Sequence, residues 1–499
     1  MQHTPNTGQH DASPEWYTQC QRIYRPSLQL KIGAELQPCQ QTFIVLDPAN
    51  QQPIARVSDA DMEQVEQAIV VALRAQSDWQ QQTATARARV LQAWYQAVLS
   101  AAPALAHLLS REQGKPFQEA AAEIQYAAAF IQWFAEEARR SYSEMIPTSH
   151  PQRRLFNLKQ PVGVVAAITP WNFPAAMVTR KIAPALAAGC AVLLKPSELT
   201  PLTALAFADL AHNAGIPAEV FQVLPTSKPN HVGQLLCQHP QIRKMTFTGS
   251  TAVGKVLLQQ CASTVKRVSM ELGGNAPMLI FADADLSLAL AGVMAAKFRN
   301  AGQTCVSINR IFVEALVYDE FCQGLASAVA KLVVGPASDP ATEIGPLITP
   351  AAAIRVANLV DDAIQKGARR IQGRQWQPED GGFYPPTVLV DVNATMAITQ
   401  QEIFGPVAVV QSFQSETEVL AAANATEAGL AAYFYTDNQQ RIWRCTEALQ
   451  AGMIGVNETA ISSELIPFGG CKQSGLGREG SSYGLDEYLE IKHVCWGIR

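Results

Sequence analysis

The 499-residue sequence predicts an α/β protein with two doubly wound, open-sheet domains. From about Pro161 onward, short β-branched runs alternate with longer helical runs, which is the pattern of βαβ units. The same alternation begins again after Pro277. A chain of this length is too long for one ordinary core, and its 48% of hydrophobic residues is enough to fill two or three.

The first sheet is predicted to follow Pro161. Its strands are predicted from GVVAAIT (163–169), CAVLLK (190–195), EVFQVL (219–224), KMTFT (244–248) and RVSMEL (267–272). The segment 200–215 predicts a helix with Thr200 as N-cap, Pro201 in the first turn and Gly215 at its end. A further helix is predicted from TAVGKVLLQQCA (251–262).

The second sheet is predicted after Pro277. Its strands are predicted from PMLIF (277–281), RIFVE (310–314), VAVVQSF (407–413), LAAYFYT (430–436) and MIGVN (453–457). The alanine-rich part, about 55–140, is predicted to be helical. The segments 153–160 and 486–499 predict strands outside both sheets, which favours a projecting β arm used in oligomerisation.

Composition excludes several classes of partner and location. A net charge of −5 gives no basic surface for nucleic acid or anionic lipid. The polar N-terminus, residues 1–17, has no apolar core of a secretory signal, and no run of about 18 apolar residues predicts a membrane span. The ten cysteines are scattered without paired spacing, which favours a reducing cytoplasm and predicts no zinc site.

Two glycine-rich segments are candidates for nucleotide binding. TFTGSTAVGK (246–255) follows a strand and opens a helix, where Gly249 would let the backbone turn and the free N–H groups, with Ser250, would meet a pyrophosphate. Taken alone, a plain strand-to-helix turn explains this segment equally well. SGLGREG (474–480) contains G-x-G-x-x-G, but no βαβ strand precedes it, so we expect it not to bind a nucleotide.

A charged pair is predicted at the carboxyl edge of the first sheet. Lys195 and Glu198 follow the strand in LLKPSE (193–198), where open α/β sheets bind nucleotides and an acid can hold ribose hydroxyls. The alternative is a surface turn with a solvated charge pair.

Three residues are candidates for catalysis. Cys305 lies in FRNAGQTCVSINR (298–310), although a single cysteine more often only packs. Glu271 ends a strand in an apolar run, so it is either paired or has a raised pKa that suits a general base. Asn172, in PWNFP (170–174), is a candidate oxyanion donor or a turn residue. The eight histidines cluster with none of these motifs.

The ordered motifs resemble those of the aldehyde dehydrogenase superfamily from about Ile44 to Gly497. They are PWNFP, KPSE, FTGSTxVG, ELGGN, GQTC, EIFGP and PFGG. The resemblance implies a Rossmann-type cofactor-binding domain (1–145 and 161–271), a catalytic domain (272–470) and an oligomerisation arm (146–160 and 480–499) that builds homodimers or homotetramers.

The resemblance also implies roles for single residues. Cys305 would be the nucleophile, Glu271 the base, Asn172 an oxyanion donor together with the Cys305 N–H, and Lys181 part of a proton-relay region. The residues implied to bind NAD or NADP are Thr169, Trp171, Lys195, Ser197, Glu198, Lys228, Gly249, Ser250, Glu402 and Phe404. Hydride transfer would leave a thioester, and Glu271 favours its hydrolysis to a free acid over transfer to coenzyme A.

Other segments resemble the succinate-semialdehyde dehydrogenase branch, among them KFRNAGQTC and ISSELIPFGG. That resemblance implies that the substrate carboxylate is received by Arg180, Arg299 and Ser462, with Phe468 also at the substrate. The alternative for Arg299 is a surface charge at a helix end. Glutarate semialdehyde stays open as the substrate, because one methylene changes discrimination by only about 1–3 kcal/mol.

Three positions depart from the family pattern. Ser307 replaces a second cysteine, so no disulfide lock on Cys305 is expected. Lys228 could attract a 2′-phosphate while Glu198 would repel it, and we favour NAD because Glu198 would lie nearer the ribose. Glu458 and Thr459 are predicted near the substrate tunnel. A thiol hydrolase without redox chemistry and a non-catalytic protein on the same fold are the rival hypotheses.

Overall fold

The computed structural model describes residues 30–38 and 41–498. The N-terminal segment 1–17, with its prediction of no secretory signal, lies outside the described residues. No helix in the described part of the chain is long and apolar enough to cross a membrane.

Strands and helices alternate along most of the described chain. In chain order the strands are β1 (Leu30–Ile32), β2 (Glu35–Gln37), β3 (Thr42–Leu46), β4 (Pro53–Ser58), β5 (Glu144–Ile146), β6 (Arg153–Pro161), β7 (Val164–Ile168), β8 (Ala191–Lys195), β9 (Phe221–Val223), β10 (Ile242–Thr248), β11 (Arg267–Glu271), β12 (Ala276–Ile280), β13 (Ile308–Glu314), β14 (Arg369–Gln372), β15 (Thr387–Val390), β16 (Val407–Phe413), β17 (Ala428–Gly429), β18 (Ala431–Tyr435), β19 (Met453–Val456), β20 (Cys471–Lys472), β21 (Gly475–Leu476) and β22 (Leu489–Gly497). The α-helices of the described residues are Met62–Gln81, Ala84–Ser100, Ala102–Gln113, Phe117–Glu137, Ala176–Ala188, Pro201–Asn213, Pro229–Gln238, Thr251–Cys261, Leu286–Phe298, Tyr318–Val329, Pro350–Gln365, Ala397–Gln400, Glu416–Asn424, Gln439–Ala448 and Ser481–Asp486.

The first sheet has six strands in the order β21-β11-β10-β7-β8-β9. The chain runs outward from β7 to β9 and then returns to the other side of β7 as β10 and β11, so the order reverses between β7 and β10. In an open α/β sheet such a switch point opens a crevice at the carboxyl ends of the strands. The predicted strands are confirmed as parallel, but β21 pairs antiparallel with β11 and was not predicted.

The second sheet has seven strands in the order β14-β15-β16-β13-β12-β18-β19. The five predicted strands are present and parallel. Two strands were missed: β15, only four residues long, and β14, which pairs with it antiparallel at the sheet edge. Edge strands are short and tolerate charged side chains, here Arg369 and Arg370, so they lack the apolar run that reveals a central strand.

The two sheets have separate hydrophobic cores. The first core includes buried residues from Leu30 to Leu272, among them those of the helices between 62 and 137, and takes in Leu485 and Leu489 from the C-terminal region. A second core extends from Ala276 to Phe468. The α/β fold class is therefore confirmed, and the assignment of cofactor binding and catalysis to the two domains stays a prediction.

The helix predicted at 200–215 begins at Pro201 and ends at Asn213. Thr200 occupies the N-cap position (φ −139°, ψ 56°), but its side chain makes no capping hydrogen bond. The Glu112 carboxylate takes that place and accepts the N–H groups of Leu202 and Thr203, each at 2.8 Å. Burial raises the pKa of Glu112 to about 7.

The predicted arm is a three-stranded antiparallel sheet in the order β22-β6-β5. β22 pairs with β6 along its whole length, from Leu489 to Gly497. The strand predicted at 486–499 begins three residues late, since Ser481–Asp486 is a short helix. Met145, Ile491 and Trp496 expose 61–71% of their surface on this sheet.

Candidate active site

Cys305 lies in the loop that joins the helix Leu286–Phe298 to β13. The loop starts with a short 3-10 turn, Arg299–Gly302, in which Asn300, Ala301 and Gly302 all have positive φ (+53°, +54° and +74°). Left-handed backbone is unfavourable for residues with a Cβ, so two consecutive examples before the candidate nucleophile indicate stored strain.

The Cys305 side chain lines a cavity of about 410 Å³. The predicted site residues that line the same cavity are Trp171, Asn172, Gly249, Ser250, Glu402 and Phe404. Trp171 and Phe404 meet edge to face there, with ring centroids 5.5 Å apart. Residues from distant parts of the sequence therefore meet beside one thiol.

The Cys305 thiol is protonated near neutral pH in this environment. Burial is the main cause that raises its pKa to about 12, and the Glu402 carboxylate adds to the effect. The positive charges of Arg180 and Arg299 oppose it. Because the thiolate is the nucleophilic form, this cysteine must lose its proton before it can attack.

Glu271 is the last residue of β11 and is buried. It is 3% exposed, and neither carboxylate oxygen has a hydrogen-bond partner among the described residues. Burial and the nearby Glu479 charge raise its pKa well above the usual range, against the opposing charges of Arg180 and Lys181. Of the two predicted alternatives, paired or raised in pKa, the absence of a hydrogen-bond partner among the described residues favours the second.

The Asn172 amide points at the Cys305 loop. Its Nδ2 donates to the Gln303 carbonyl at 3.0 Å, and a primary amide has a second N–H for another acceptor. The Asn172 backbone carbonyl is held from two sides, by Lys115 Nζ at 2.8 Å and by Asn300 Nδ2 at 3.0 Å. Hydrogen bonds thus hold both the side chain and the backbone of Asn172, and its role as an oxyanion donor stays a prediction.

The two glycines after Glu271 allow the close approach of these segments. A Cβ on Gly274 would overlap the Cys305 carbonyl oxygen, and one on Gly273 would lie 2.7 Å from Glu402 Oε2. The Gly274 N–H donates to Glu402 at 3.2 Å, and burial raises the pKa of Glu402 to about 7. ELGGN therefore needs Gly274 for space beside Cys305 and Gly273 for space beside Glu402.

The predicted pyrophosphate segment lies at the N-terminus of the helix Thr251–Cys261. Ser250 is its N-cap and accepts the Val253 N–H at 3.3 Å. Gly249 has no positive φ, and the turn needs this glycine for space, because a Cβ there would overlap the Phe247 ring. The buried Thr248 hydroxyl, which also lines the cavity, has no hydrogen-bond partner among the described residues.

The predicted ribose-binding residues lie at the end of β8. Lys195 Nζ and Glu198 Oε2 form an ion pair at 3.0 Å, with the lysine buried and the carboxylate half-exposed. The Ser197 hydroxyl accepts the Leu199 N–H, and the Thr169 N–H donates to the Lys195 carbonyl. Lys228 lies on another loop and donates to Gln41 at 2.8 Å.

Sequence reasoning missed Glu479, a buried counter-ion close to the candidate base. Its carboxylate lies 2.9 Å from Arg180 and is hydrogen-bonded to Lys181, which also donates to Thr246 at 3.2 Å. Glu479 belongs to the SGLGREG segment, whose β21 is an antiparallel edge strand rather than the strand of a βα turn. Its pairing with residues about 300 positions away leaves no local signal.

The predicted substrate residues differ in their contacts. Arg180 forms an ion pair with Glu479, and its guanidinium carbon lies 3.9 Å from the centroid of the Phe468 ring. Arg299 is exposed, lies 5.4 Å from the Phe173 ring, and forms no ion pair within the described chain. Ser462 shares a 3.0 Å hydrogen bond with Tyr126.

Glu458, predicted near the substrate tunnel, is exposed, and its side chain binds backbone groups of its own loop. Its Oε1 accepts the backbone N–H groups of Thr459 and Ala460 at 2.6 and 2.8 Å. These bonds lower the pKa of Glu458.

Comparison with known proteins connects this geometry to one family. The model of the "Aldehyde dehydrogenase family" matches residues 36–494. The 3-sulfolactaldehyde dehydrogenase of Pseudomonas putida is 51% identical over 92% of this chain and 94% of its own length. The succinate-semialdehyde dehydrogenase [NADP(+)] of Escherichia coli is 50% identical over 91% of this chain and 94% of its own length. The crystal structure of succinate-semialdehyde dehydrogenase from Burkholderia pseudomallei is 46% identical with a TM-score of 0.94, covering 98% of this chain and 100% of that one.

Proposed function

Because this chain belongs to the aldehyde dehydrogenase family, we propose that it oxidises succinate semialdehyde to succinate with NAD or NADP. The observation on which this rests is that Cys305 and the Asn172 amide line one cavity with the N-terminus of the helix Thr251–Cys261. A nucleophile, an oxyanion donor and an anion-binding helix end in one cavity suit cofactor-dependent acyl chemistry on a cysteine.

The cavity fits a dinucleotide. Thr248 presents a buried hydroxyl that no other described residue binds, and the helix N-terminus behind Ser250 favours negative charge. Ser250 and Gly249 would hold the pyrophosphate, Lys195 and Glu198 the ribose, and Glu402 and Phe404 the nicotinamide half. That Thr169, Trp171, Ser197 and Lys228 also bind the cofactor stays a prediction.

In the proposed reaction, the Cys305 thiol gives its proton to solvent water, and the sulfur attacks the aldehyde carbon. Asn172 Nδ2 and the Cys305 N–H donate to the oxyanion that forms. When bound, NAD or NADP supplies the acceptor for the hydride that leaves this adduct, and a thioester on Cys305 results. The Glu271 carboxylate then takes a proton from water, whose oxygen attacks the thioester carbon, and the carbon–sulfur bond breaks to release the acid.

Arg299 is the stronger candidate for the substrate carboxylate. Its guanidinium is exposed and forms no ion pair within the described chain, and its charge is close enough to lower the pKa of the Cys305 thiol. Arg180 already neutralises Glu479, so less of its charge is available. The sulfolactaldehyde enzyme, by its name, also acts on an aldehyde with an anionic group.

The first test is the rate of cofactor reduction with succinate semialdehyde, glutarate semialdehyde, 3-sulfolactaldehyde and butanal. Succinate semialdehyde is expected to have the highest kcat/KM. Arg299→Ala should lower kcat/KM for the acidic aldehydes by about 10- to 100-fold, the effect of losing a charge-assisted hydrogen bond, and leave butanal nearly unchanged. Arg89→Ala, an exposed arginine of the helix Ala84–Ser100, is the control. Equal losses for all four aldehydes would mean that Arg299 is structural.

The cofactor preference is a finer part of the proposal. The NADP(+) in the name of the E. coli relative gives no support to a preference for NAD. If Glu198 repels a 2′-phosphate, Glu198→Gln should shift the ratio of kcat/KM values toward NADP by about fivefold, and Lys228→Met should shift it toward NAD. Lys331→Met, at an exposed lysine, is the control. An unchanged ratio in both variants would assign the discrimination to other residues.

The proposal includes two further properties of the protein. A cytoplasmic location rests on the scattered cysteines, of which the eight in the described residues are free thiols. Assembly into a homodimer or homotetramer rests on the arm β22-β6-β5, whose exposed Met145, Ile491 and Trp496 would gain from being covered.

A further inference from the structure

A buried polar network runs from the N-terminal helices to the loop that contains Cys305. It starts at the end of the helix Ala102–Gln113, where Gln113 Nε2 donates to Asn300 Oδ1 at 3.0 Å. It continues through the helix Phe117–Glu137, whose Glu119 and Glu123 face the loop and the Asn172 segment. Neither helix contributes a residue that lines the cavity beside Cys305.

One part of this network fixes Asn172. Lys115 Nζ lies between Glu123 Oε2, at 2.6 Å, and the Asn172 carbonyl, at 2.8 Å. Glu123 also accepts the N–H groups of Ala175 and Ala176, at 2.9 and 3.3 Å. The Lys115–Glu123 pair thus holds both the carbonyl of Asn172 and the start of the helix that follows it.

The other part fixes the Cys305 loop. Both carboxylate oxygens of Glu119 accept the backbone N–H of Asn300, at 3.1 and 2.9 Å. Asn300 is 1% exposed, so without Glu119 this N–H would be buried with no acceptor. Asn300 and Ala301 both have left-handed backbone, which persists only where the surroundings hold it.

We propose that Glu119 is a positioning residue: by holding the Asn300 N–H it keeps residues 300–302 left-handed, and so keeps Cys305 aligned with the Asn172 amide. The link is short, because Asn300 Nδ2 and Asn172 Nδ2 both donate to the Gln303 carbonyl, at 3.2 and 3.0 Å. This inference rests on the proposed function, since it concerns the alignment of the proposed nucleophile and oxyanion donor.

The test compares Glu119→Ala, Glu119→Gln and, as the control, Gln118→Ala, an exposed neighbour on the same helix. Glu119→Ala should lower kcat about 10- to 100-fold, with KM for the dinucleotide unchanged, because small displacements at a reacting centre have effects of this size. Glu119→Gln should restore kcat to within about threefold of wild type, because one amide oxygen still accepts the N–H. If Glu119→Ala does not fold, Glu119→Asp, which withdraws the carboxylate by one methylene, should show the same loss.

Hydrolysis of p-nitrophenyl acetate separates this inference from the proposed function. Acylation of Cys305 by the ester needs the thiol and the oxyanion donors but neither aldehyde nor dinucleotide. If wild type cleaves the ester and oxidises no aldehyde, the proposed function fails, while a loss of ester cleavage in Glu119→Ala with rescue in Glu119→Gln still supports the positioning role. A lower Tm in Glu119→Ala with normal kcat and normal ester cleavage would overturn the positioning role. Equal losses of kcat in the Ala and Gln variants would overturn it as well. Inactivity of wild type toward both substrates would overturn both.

Discussion

Cys305→Ala is expected to abolish aldehyde oxidation, with a loss in kcat of about 10⁴-fold or more. The reason is that Cys305 is the one cysteine among the described residues that lines the cavity beside Asn172, so no other thiol can replace it. Loss of the covalent intermediate removes the whole path, and binding by the remaining residues cannot substitute for it. The measurement is the steady-state rate of cofactor reduction at saturating aldehyde.

The matched control is Cys471→Ala, because Cys471 is also a half-buried free thiol but lies outside that cavity. Its kcat should stay within about twofold of wild type, in the usual range for a substitution remote from the site. Both variants should keep a cooperative unfolding transition near the wild-type Tm. Full activity in Cys305→Ala would refute the catalytic assignment, and ester hydrolysis that is unaffected by dinucleotide, without aldehyde oxidation, would favour the rival thiol hydrolase.

Much of the candidate site could be predicted because parallel strands present their carboxyl ends at one edge. Asn172 and Ser250 follow β7 and β10, which are neighbours in the first sheet, and each lies a few residues after an apolar run visible in the sequence. The central strands were found for the same reason, since burial on both faces gives them continuous β-branched runs. Local patterns thus revealed both the strands and the polar residues that follow them.

The residues that hold the site in shape gave no such pattern. Glu119 and Glu479 lie 181 and 298 positions from the groups that they bind, and each looks like an ordinary charged residue on a helix or in a glycine-rich turn. Packing between elements makes each a fixed partner, since Glu479 is buried and Glu119 half-buried, and such packing does not follow from periodicity. The role of Gly274 could not be predicted for the same reason, because only the fold brings the Cys305 carbonyl against this glycine.

Glu271→Gln is expected to separate the two halves of the reaction. Steady-state kcat should fall by about 10²- to 10³-fold, the contribution of a general base, because thioester hydrolysis loses its proton acceptor. Formation of the thioester should suffer less, since the Glu271 charge is one of the causes that raise the pKa of Cys305, and its removal favours the thiolate. Rapid mixing should therefore show a burst of reduced cofactor close to one per active site, followed by slow turnover. Glu320→Gln, at an exposed glutamate, should show wild-type turnover without this change.

The raised pKa of Glu271 also fixes the sign of two pH effects. Only the carboxylate can accept a proton, so wild-type kcat should rise with pH through the folded-state pKa of Glu271, and the Gln variant should lose this rise. A carboxyl whose pKa is raised on folding stabilises the fold below its unfolded pKa, about 4.3, and loses that contribution as pH rises through the folded value. Glu271→Gln should therefore have a higher Tm than wild type at pH 8, with the difference shrinking toward pH 5. A lower Tm for the Gln variant at pH 8, or a missing burst with kcat unchanged, would show that Glu271 is a structural acid and that another group activates the water.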